Sequence, residues 1–304
     1  MKNIIDNLKK SFIEISKLIK YGNQNNLGSY NLNLKNKSGD IVKKLDLLSH
    51  DLIVKNLKQC HNLGGFISEE SHKVNFVNKN LESIETMENF DDNKYIVAFD
   101  PLDGSSNISS NITTGTIFGI YKYQKDEIND IVCAGYCLYG PATLMVLTSI
   151  NSPVELFQLN KNENFEYING ISFDKIFPSN VYSVNESYFQ LFNSDIKNFI
   201  LNLKKMEFNH RYIGSMVSDC HRTLITGGIF MYPRNQKKPD GKIRLLYEAL
   251  PFSLIFKNAG GIAYTDLNID LKLDKINFKD IHKTTPIILS SHPLPYNDNN
   301  ENCK

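Results

Sequence analysis

The stretch YIVAFDPLDGSSN, Tyr95 to Asn107, constrains this chain more than any other. Tyr95 to Phe99 are apolar and uncharged, which reads as a strand buried on both faces. Asp100, Pro101, Leu102, Asp103 and Gly104 then interrupt it. Proline removes a backbone donor and fixes φ, and glycine frees the backbone. The sequence predicts a strand that breaks at Pro101. The break turns Asp100, Asp103 and the Leu102 carbonyl toward one point.

Other acids stand at strand or turn ends. Glu69 and Glu70 close the short strand of GGFISEES, and Glu248 lies in LYEALP. Asp46, in KKLDLL, sits on a helix face. Clustered carboxylates repel one another and are tolerated with cations between them. An oxygen-only set favours a hard ion, Mg²⁺ or Mn²⁺. After Gly104, successive N–H groups and the Ser105 and Ser106 hydroxyls can cradle a phosphate. Metal carboxylates beside a phosphate cradle make a phosphoryl-transfer site with two or more metals. The rival reading of D-P-x-D-G alone is an Asx-rich surface turn. The SEE about thirty residues upstream weighs against it.

The 304 residues are 41% hydrophobic and 22% charged, enough for one large or two modest domains. Lys and Arg total 34 against 33 Asp and Glu, so no global field points to nucleic acid or membrane. The first twenty residues place Ile5, Leu8, Phe12, Ile15 and Ile19 at helical spacing, broken by Lys, Asp and Glu. This is an amphipathic helix rather than a signal peptide, and no run nears the roughly 18 apolar residues of a membrane span. A cytoplasmic protein is expected. The five cysteines, Cys60, Cys133, Cys137, Cys220 and Cys303, match no zinc or redox spacing and read as reduced thiols. DCHRT sets Cys220 beside His221, but adjacent residues on a helix diverge and form no nucleophile–base pair.

Helices are expected over residues 1–21 and about 41–59, and the run from about 95 to 168 is rich in strands. SYFQLFNSDIKNFILNLKKM, GSMVSDCHRTLITGG and LLYEALPFSLIFKNAGG read as helices, the last two stopped by Gly-Gly pairs. IFMYP and PIILSS read as strands. The pattern predicts two layered α/β domains joined near residue 170, 1–170 and 171–304, with residues 294–304 as a disordered tail.

FDPLDGSSN with the preceding SEE resembles the metal-dependent, lithium-sensitive phosphatases. NITTGTIFGIY, RYIGSMVSDCHRTLITGGIFMYP, DGKIRLLYEALPFSLIFKNAGG and GDIVKKLDLLSHDL together resemble class I fructose-1,6-bisphosphatase, over about residues 5 to 292. The resemblance implies the sugar-phosphatase fold, an α-β-α-β-α sandwich. It implies Mg²⁺-dependent hydrolysis of the 1-phosphate of fructose 1,6-bisphosphate, a step of gluconeogenesis. Glu69, Glu70, Asp100, Asp103, Glu248 and the Leu102 carbonyl would hold metal. Asp103, Gly104, Ser105 and Ser106 would seat the 1-phosphate, and Asp46 with Glu70 would orient and deprotonate the attacking water. Asp40 would lie on a loop that closes over the site. Asn185, Tyr188, Tyr212, Tyr232 and Lys242 would clamp the second phosphate. Arg211 would reach a neighbouring subunit's site, making the enzyme a homo-oligomer, dimer or tetramer.

The chain also departs from the family. No Thr-Gly-Glu-x-Thr turn, which in the family binds the phosphate of AMP, is found. Lys94 and Tyr95 match other AMP contacts, and Lys122 stands where the family has arginine. Weak or absent AMP inhibition is expected. YEALP replaces YECNP, and Ser71-His72 replace an acidic pair after SEE. The alternatives are sedoheptulose 1,7-bisphosphate as substrate, a broader inositol or nucleotide phosphatase, and a catalytically dead sugar-phosphate sensor. The clamp argues against the second, and the complete acid set against the third.

Overall fold

The computed structural model describes residues 1–22, 30–35, 41–77, 94–176, 179–272 and 275–295. Asp40 and residues 296–304 lie outside them. Helix α1 (Lys2–Gly22) comes first, then the antiparallel pair β1 (Tyr30–Lys35) and β2 (Ile41–Lys43), then α2 (Lys44–Leu57). The second helix is thus shorter than its sequence suggested, because Ile41–Lys43 pair as a strand.

The first sheet contains β3 (Leu63–Ser68), β4 (Asn75–Phe76), β5 (Tyr95–Asp103), β6 (Thr114–Gln124) and β7 (Glu127–Tyr139). It continues with β8 (Thr143–Ser149), β9 (Val154–Leu159) and β10 (Phe165–Ile171), in the order β10-β9-β8-β7-β6-β5-β3-β4. Strand β3 runs parallel to β5, so both deliver their C-terminal ends to the same edge. The other neighbours on this path pair antiparallel.

The second half supplies β11 (Val181–Ser183), α3 (Ser194–Lys205), β12 (Asn209–His210), α4 (Met216–Thr226), β13 (Ile229–Tyr232), β14 (Ile243–Arg244) and α5 (Leu250–Asn258). It ends with β15 (Ile262–Asp266), β16 (Ile269–Asp270), β17 (Ile276–Asn277), β18 (Thr284–Thr285) and β19 (Ile287–Ser290). A second sheet has the order β12-β11-β13-β19-β15-β16, β14 pairs with β18, and β17 returns to pair with β7 of the first sheet.

Alternation along β5 explains the layers. Val97 and Phe99 face one way, into a core with Ile4, Leu8 and Phe12 of α1 and Leu45 and Ile53 of α2. Ile96 and Ala98 face the other way, into a core with Val217 and Leu224 of α4 and Phe252 and Phe256 of α5. Phe230, Ile287 and Leu289 of the second sheet close that core from beyond the helices. On the far face, Ile229, Met231 and Ile288 pack on Ile196, Phe199 and Leu203 of α3. The order is helix, sheet, helix, sheet, helix, as the resemblance implied.

Three local readings need correction. Strand β5 does not end at Pro101 but runs to Asp103, with Asp100 opposite Ile117 and Asp103 opposite Gly115 of β6. Three steps against two make a bulge, a position that tolerates proline in a sheet. The expected helix over 187–206 is split: a 3-10 turn (Glu186–Leu191) precedes α3, whose first turn is capped by the Asn193 side chain at 2.9 Å from the Ile196 N–H. Residues Leu245–Ala249 form a π-helical turn before α5 rather than its first α turn. Pro251 lies in the first turn of α5 and lacks the N–H that an α register would need. In addition, Leu294, placed in the tail by sequence, is buried against the α3 core.

Phe118 of β6 is fully buried and its ring centroid lies 5.8 Å from that of Phe12 in α1. Phe118→Ala is expected to lower unfolding free energy by about 3–5 kcal/mol in urea titration. A loss under about 1 kcal/mol would contradict the packing of α1 on this sheet.

Candidate active site

The C-terminal ends of β3 and β5 meet here. The Glu69 N–H bonds the Phe99 carbonyl at 3.1 Å, which sets Glu69 and Glu70 beside Asp100. A tight turn follows, with Ser71 N–H on the Ser68 carbonyl and the Ser68 hydroxyl accepting from the Glu70 N–H at 3.2 Å. Asp100 Oδ1 accepts the Leu102 N–H at 2.9 Å, folding the bulge around the carboxylate. The Pro101 carbonyl, pushed out by the bulge, takes the Thr116 hydroxyl at 2.8 Å. Asp103 Oδ2 accepts both the Ser215 hydroxyl and the Val217 N–H, each at 2.8 Å, so it closes the N-terminus of α4. Glu248 is carried by the π-helical turn, not by a strand end, and its Oε2 accepts the Arg244 N–H at 2.5 Å. The turn is held from two sides, by Tyr121 donating to the Leu246 carbonyl and by Tyr247 paired with His282 Nδ1 at 2.8 Å.

Asp100, Asp103 and Glu248 can bring one carboxylate oxygen each within 4.8 Å of one another. Their electrostatics fit a cation. Burial, then Glu69 and Asp103, push the Glu248 carboxyl up to about 8. Burial pushes Glu69 up to about 7; Arg244 opposes this, while Asp103 and Asp46 add to it. Burial, then Glu69, raise Asp100 well above the ordinary carboxylate range. Asp103 is raised by burial against the two hydrogen bonds it accepts. Oxygen donors this close, each costly to ionise alone, suit a hard divalent cation.

Gly104 follows with φ 75°, and the chain enters a 3-10 turn over Ser105–Ser110. A Cβ at Gly104 would lie 2.6 Å from both Cβ and Oγ of Ser215. Only glycine lets this turn pass so close to the start of α4. The resulting cleft, about 1790 Å³, is lined by Asp46, Glu69, Glu70, Asp100, Leu102 and Asp103, with Gly104, Ser105 and Ser106 following in the chain. Tyr188, Tyr212, Tyr232 and Lys242 line it as well. Burial raises the Tyr232 hydroxyl, and Lys242 beside it pulls it back. Tyr212 is raised by burial and by Tyr232, with a hydrogen bond to Asn185 opposing.

The structure therefore brings all the predicted metal and 1-phosphate residues into one cleft with four of the clamp residues. Asn185 stands behind the clamp, its Oδ1 capping the Ser187 N–H at 3.1 Å. Arg211 is exposed and does not line this cleft. Sequence reasoning missed Arg244, whose charge acts on Glu69 and Glu248, although a basic residue four positions before Glu248 is a legible signal. It also missed Asp219 and His282, whose roles depend on tertiary contacts. Cys60, Cys133, Cys137 and Cys220 are free and buried, as expected, and the Cys220 thiol is raised well above its ordinary value by burial.

The profile of the fructose-1-6-bisphosphatase N-terminal domain matches residues 1–169, and that of the C-terminal domain matches residues 177–294. The chain belongs to the fructose-1,6-bisphosphatase family. It is 40% identical to fructose-1,6-bisphosphatase 1 of Mus musculus over 274 residues, 84% of this chain and 76% of that protein. It is also 40% identical to the class 1 fructose-1,6-bisphosphatase of Sulfurihydrogenibium sp. over 265 residues, 84% of this chain and 77% of that one. The crystal structure of Leishmania major fructose-1,6-bisphosphatase in holo form superposes with a TM-score of 0.84 at 32% identity, covering 95% of this chain and 90% of that one. Among the described residues of this family member, no helix is long and apolar enough to cross a membrane.

A pH dependence follows from the raised carboxyls. Glu69 and Glu248, near 7 and 8 in the fold against an ordinary 4.5, keep protons that the unfolded chain loses. Between those values the folded chain binds more protons, so its stability falls as pH rises. In EDTA the Tm is expected to fall from pH 6 to 8.5, and saturating Mg²⁺ to remove most of that slope. A Tm that rises over this range in EDTA would overturn the reading.

Proposed function

We propose that this chain hydrolyses the 1-phosphate of D-fructose 1,6-bisphosphate, giving fructose 6-phosphate and inorganic phosphate. The observation that carries the reading is one cleft lined by a carboxylate cluster, a phosphate turn, three tyrosines and a lysine. A bisphosphate needs two separate anion sites, and only one can share the metals. Tyr188, Tyr212 and Tyr232 hydroxyls give directional bonds to the 6-phosphate, and Lys242 gives a point charge. Asn185 holds Tyr212 in place through its side chain.

Gly104, Ser105 and Ser106 bind the 1-phosphate through N–H groups and hydroxyls. Asp46, buried on the first turn of α2, pairs with Glu70 to orient the attacking water and take its proton. The water oxygen bonds to phosphorus, the bond from phosphorus to the C1 oxygen breaks, and the proton taken from the water passes to that oxygen as it leaves. Glu69, Glu70, Asp100, Asp103, Glu248 and the Leu102 carbonyl would hold two or more Mg²⁺ or Mn²⁺. Bound there, the ions would acidify the water and neutralise the leaving oxygen. Arg211, exposed on its loop, would reach a second subunit's cleft in a homo-oligomer. Residues 1–170 and 171–304 would form the metal and sugar domains, in a cytoplasmic enzyme.

Phosphate release is measured with fructose 1,6-bisphosphate, with and without Mg²⁺, beside sedoheptulose 1,7-bisphosphate and inositol 1-phosphate. Release from the first is expected to need Mg²⁺ and to fall at least 100-fold in Asp103→Asn. Inositol 1-phosphate as the sole substrate would refute the clamp, and the seven-carbon substrate as the faster one would reassign the sugar. Gly104→Ala, which drives a Cβ into Ser215, is expected to lower kcat by roughly 100-fold, since misplacement by about 1 Å suffices for that. Unaltered kcat would place the phosphate elsewhere.

A further inference from the structure

Between β12 and α4 the chain leaves the second sheet for residues 211–215, and little apolar packing holds it there. Tyr212 is 36% and Ile213 38% exposed, and Arg211 and Gly214 are exposed as well. Yet this segment carries Tyr212 into the clamp and Ser215 onto Asp103. Its fixed shape has a polar cause. Asp219, on α4 and with no solvent exposure, accepts the Ile213 N–H on both oxygens at 3.1 and 3.0 Å and the Gly214 N–H at 3.0 Å. Its Oδ1 also accepts the Ser183 hydroxyl at 3.0 Å and the Arg222 guanidinium at 2.9 Å. The same Arg222 nitrogen donates to the Arg211 carbonyl at 3.2 Å. Gly214, at φ 87°, makes the turn that points both N–H groups at one carboxylate.

We propose that Asp219 is a positioning residue for the second-phosphate clamp. It acts through the backbone of residues 211–214 to hold Tyr212 where it receives the phosphate. The inference rests on the clamp reading given above. A buried carboxylate accepting several hydrogen bonds fixes its donors far more tightly than a neutral acceptor does. The His210 ring, stacked on Tyr212 with a 10° interplanar angle, completes the support. Asparagine at 219 keeps the shape but offers one acceptor and turns an N–H₂ group toward donors. Tyr212 then loses its fixed place, although its own side chain is untouched. Asp103 also accepts the Val217 N–H, a bond to α4 that does not pass through residues 211–214.

The test is calorimetric titration of the full chain with fructose 6-phosphate, in EDTA, comparing wild type with Asp219→Asn. Kd is expected to rise at least tenfold. With fructose 1,6-bisphosphate and Mg²⁺, KM is expected to rise more than kcat falls, and the Mg²⁺ needed for half-maximal rate to stay within about twofold. A lower Tm with unaltered Kd and KM would show a structural role only and overturn the proposal. Asp219→Asn leaves the half-buried Arg222 without its carboxylate partner, so it is backed by Arg222→Lys, which keeps the charge and loses the link to the Arg211 carbonyl. Its Kd is expected to rise at least threefold; no rise overturns the proposal where Asp219→Asn does not fold. Wild type that hydrolyses the bisphosphate but does not bind fructose 6-phosphate would refute the clamp reading, and the inference with it.

Discussion

Asp103 capping α4 is the contact on which the site depends. A helix begins with N–H groups that have no partner within the helix, and an anion near them is stabilised by the helix dipole. Here the partner comes from a strand more than a hundred residues earlier. Ser215, at the N-cap position, turns its hydroxyl to Asp103 instead of capping its own helix. One carboxylate oxygen thus joins the first sheet to the α4 helix layer, leaving the other for the acid cluster. The bulge at Pro101 and the left-handed Gly104 are what bring the two elements close enough.

The rest of the cluster shows why repelling acids persist in this fold. Each is anchored by backbone donors of rigid elements: Leu102 for Asp100, Val217 for Asp103, Arg244 for Glu248. Those bonds favour the charged forms, and burial opposes them more strongly. The balance raises all of these carboxyls and leaves their oxygens in a geometry that suits an ion, which would lower the reorganisation that binding requires. The Glu248 turn follows the same logic. A π-helical turn is a poor hydrogen-bonding arrangement by itself and persists here because Tyr121 and His282 hold it.

Much of this was legible in the sequence because the acids stand next to strong local signals. YIVAF, Pro101 and Gly104 located the first cluster, SEE the second. What failed to show was pairing. Nothing local says that β5 continues through Pro101, since the bulge is defined only against β6. Nothing local distinguishes a π turn from an α turn at Leu245–Ala249 until Pro251 is seen to need it. Asp219 carries no local signal, because its donors come from residues 183, 213, 214 and 222, which meet only in the folded chain. The clamp tyrosines were identified through the family resemblance; read alone, Tyr212 and Tyr232 pass for core aromatics.

The layering carries a consequence for synthesis on the ribosome. Residues up to Ile171 complete almost all of the first sheet, but much of the covering for the face bearing Ile96, Ala98, Ile117 and Tyr136 comes later, from α4, the 245–249 turn and α5. Phe256 emerges 256 − 171 = 85 residues later. At about 5–20 residues per second, the nascent sheet waits on the order of ten seconds with one greasy face bare. The short strand β17, which stitches back onto β7, arrives later still. A nascent chain of this architecture calls for a chaperone at that face, and its yield on expression depends on how fast the second half follows the first.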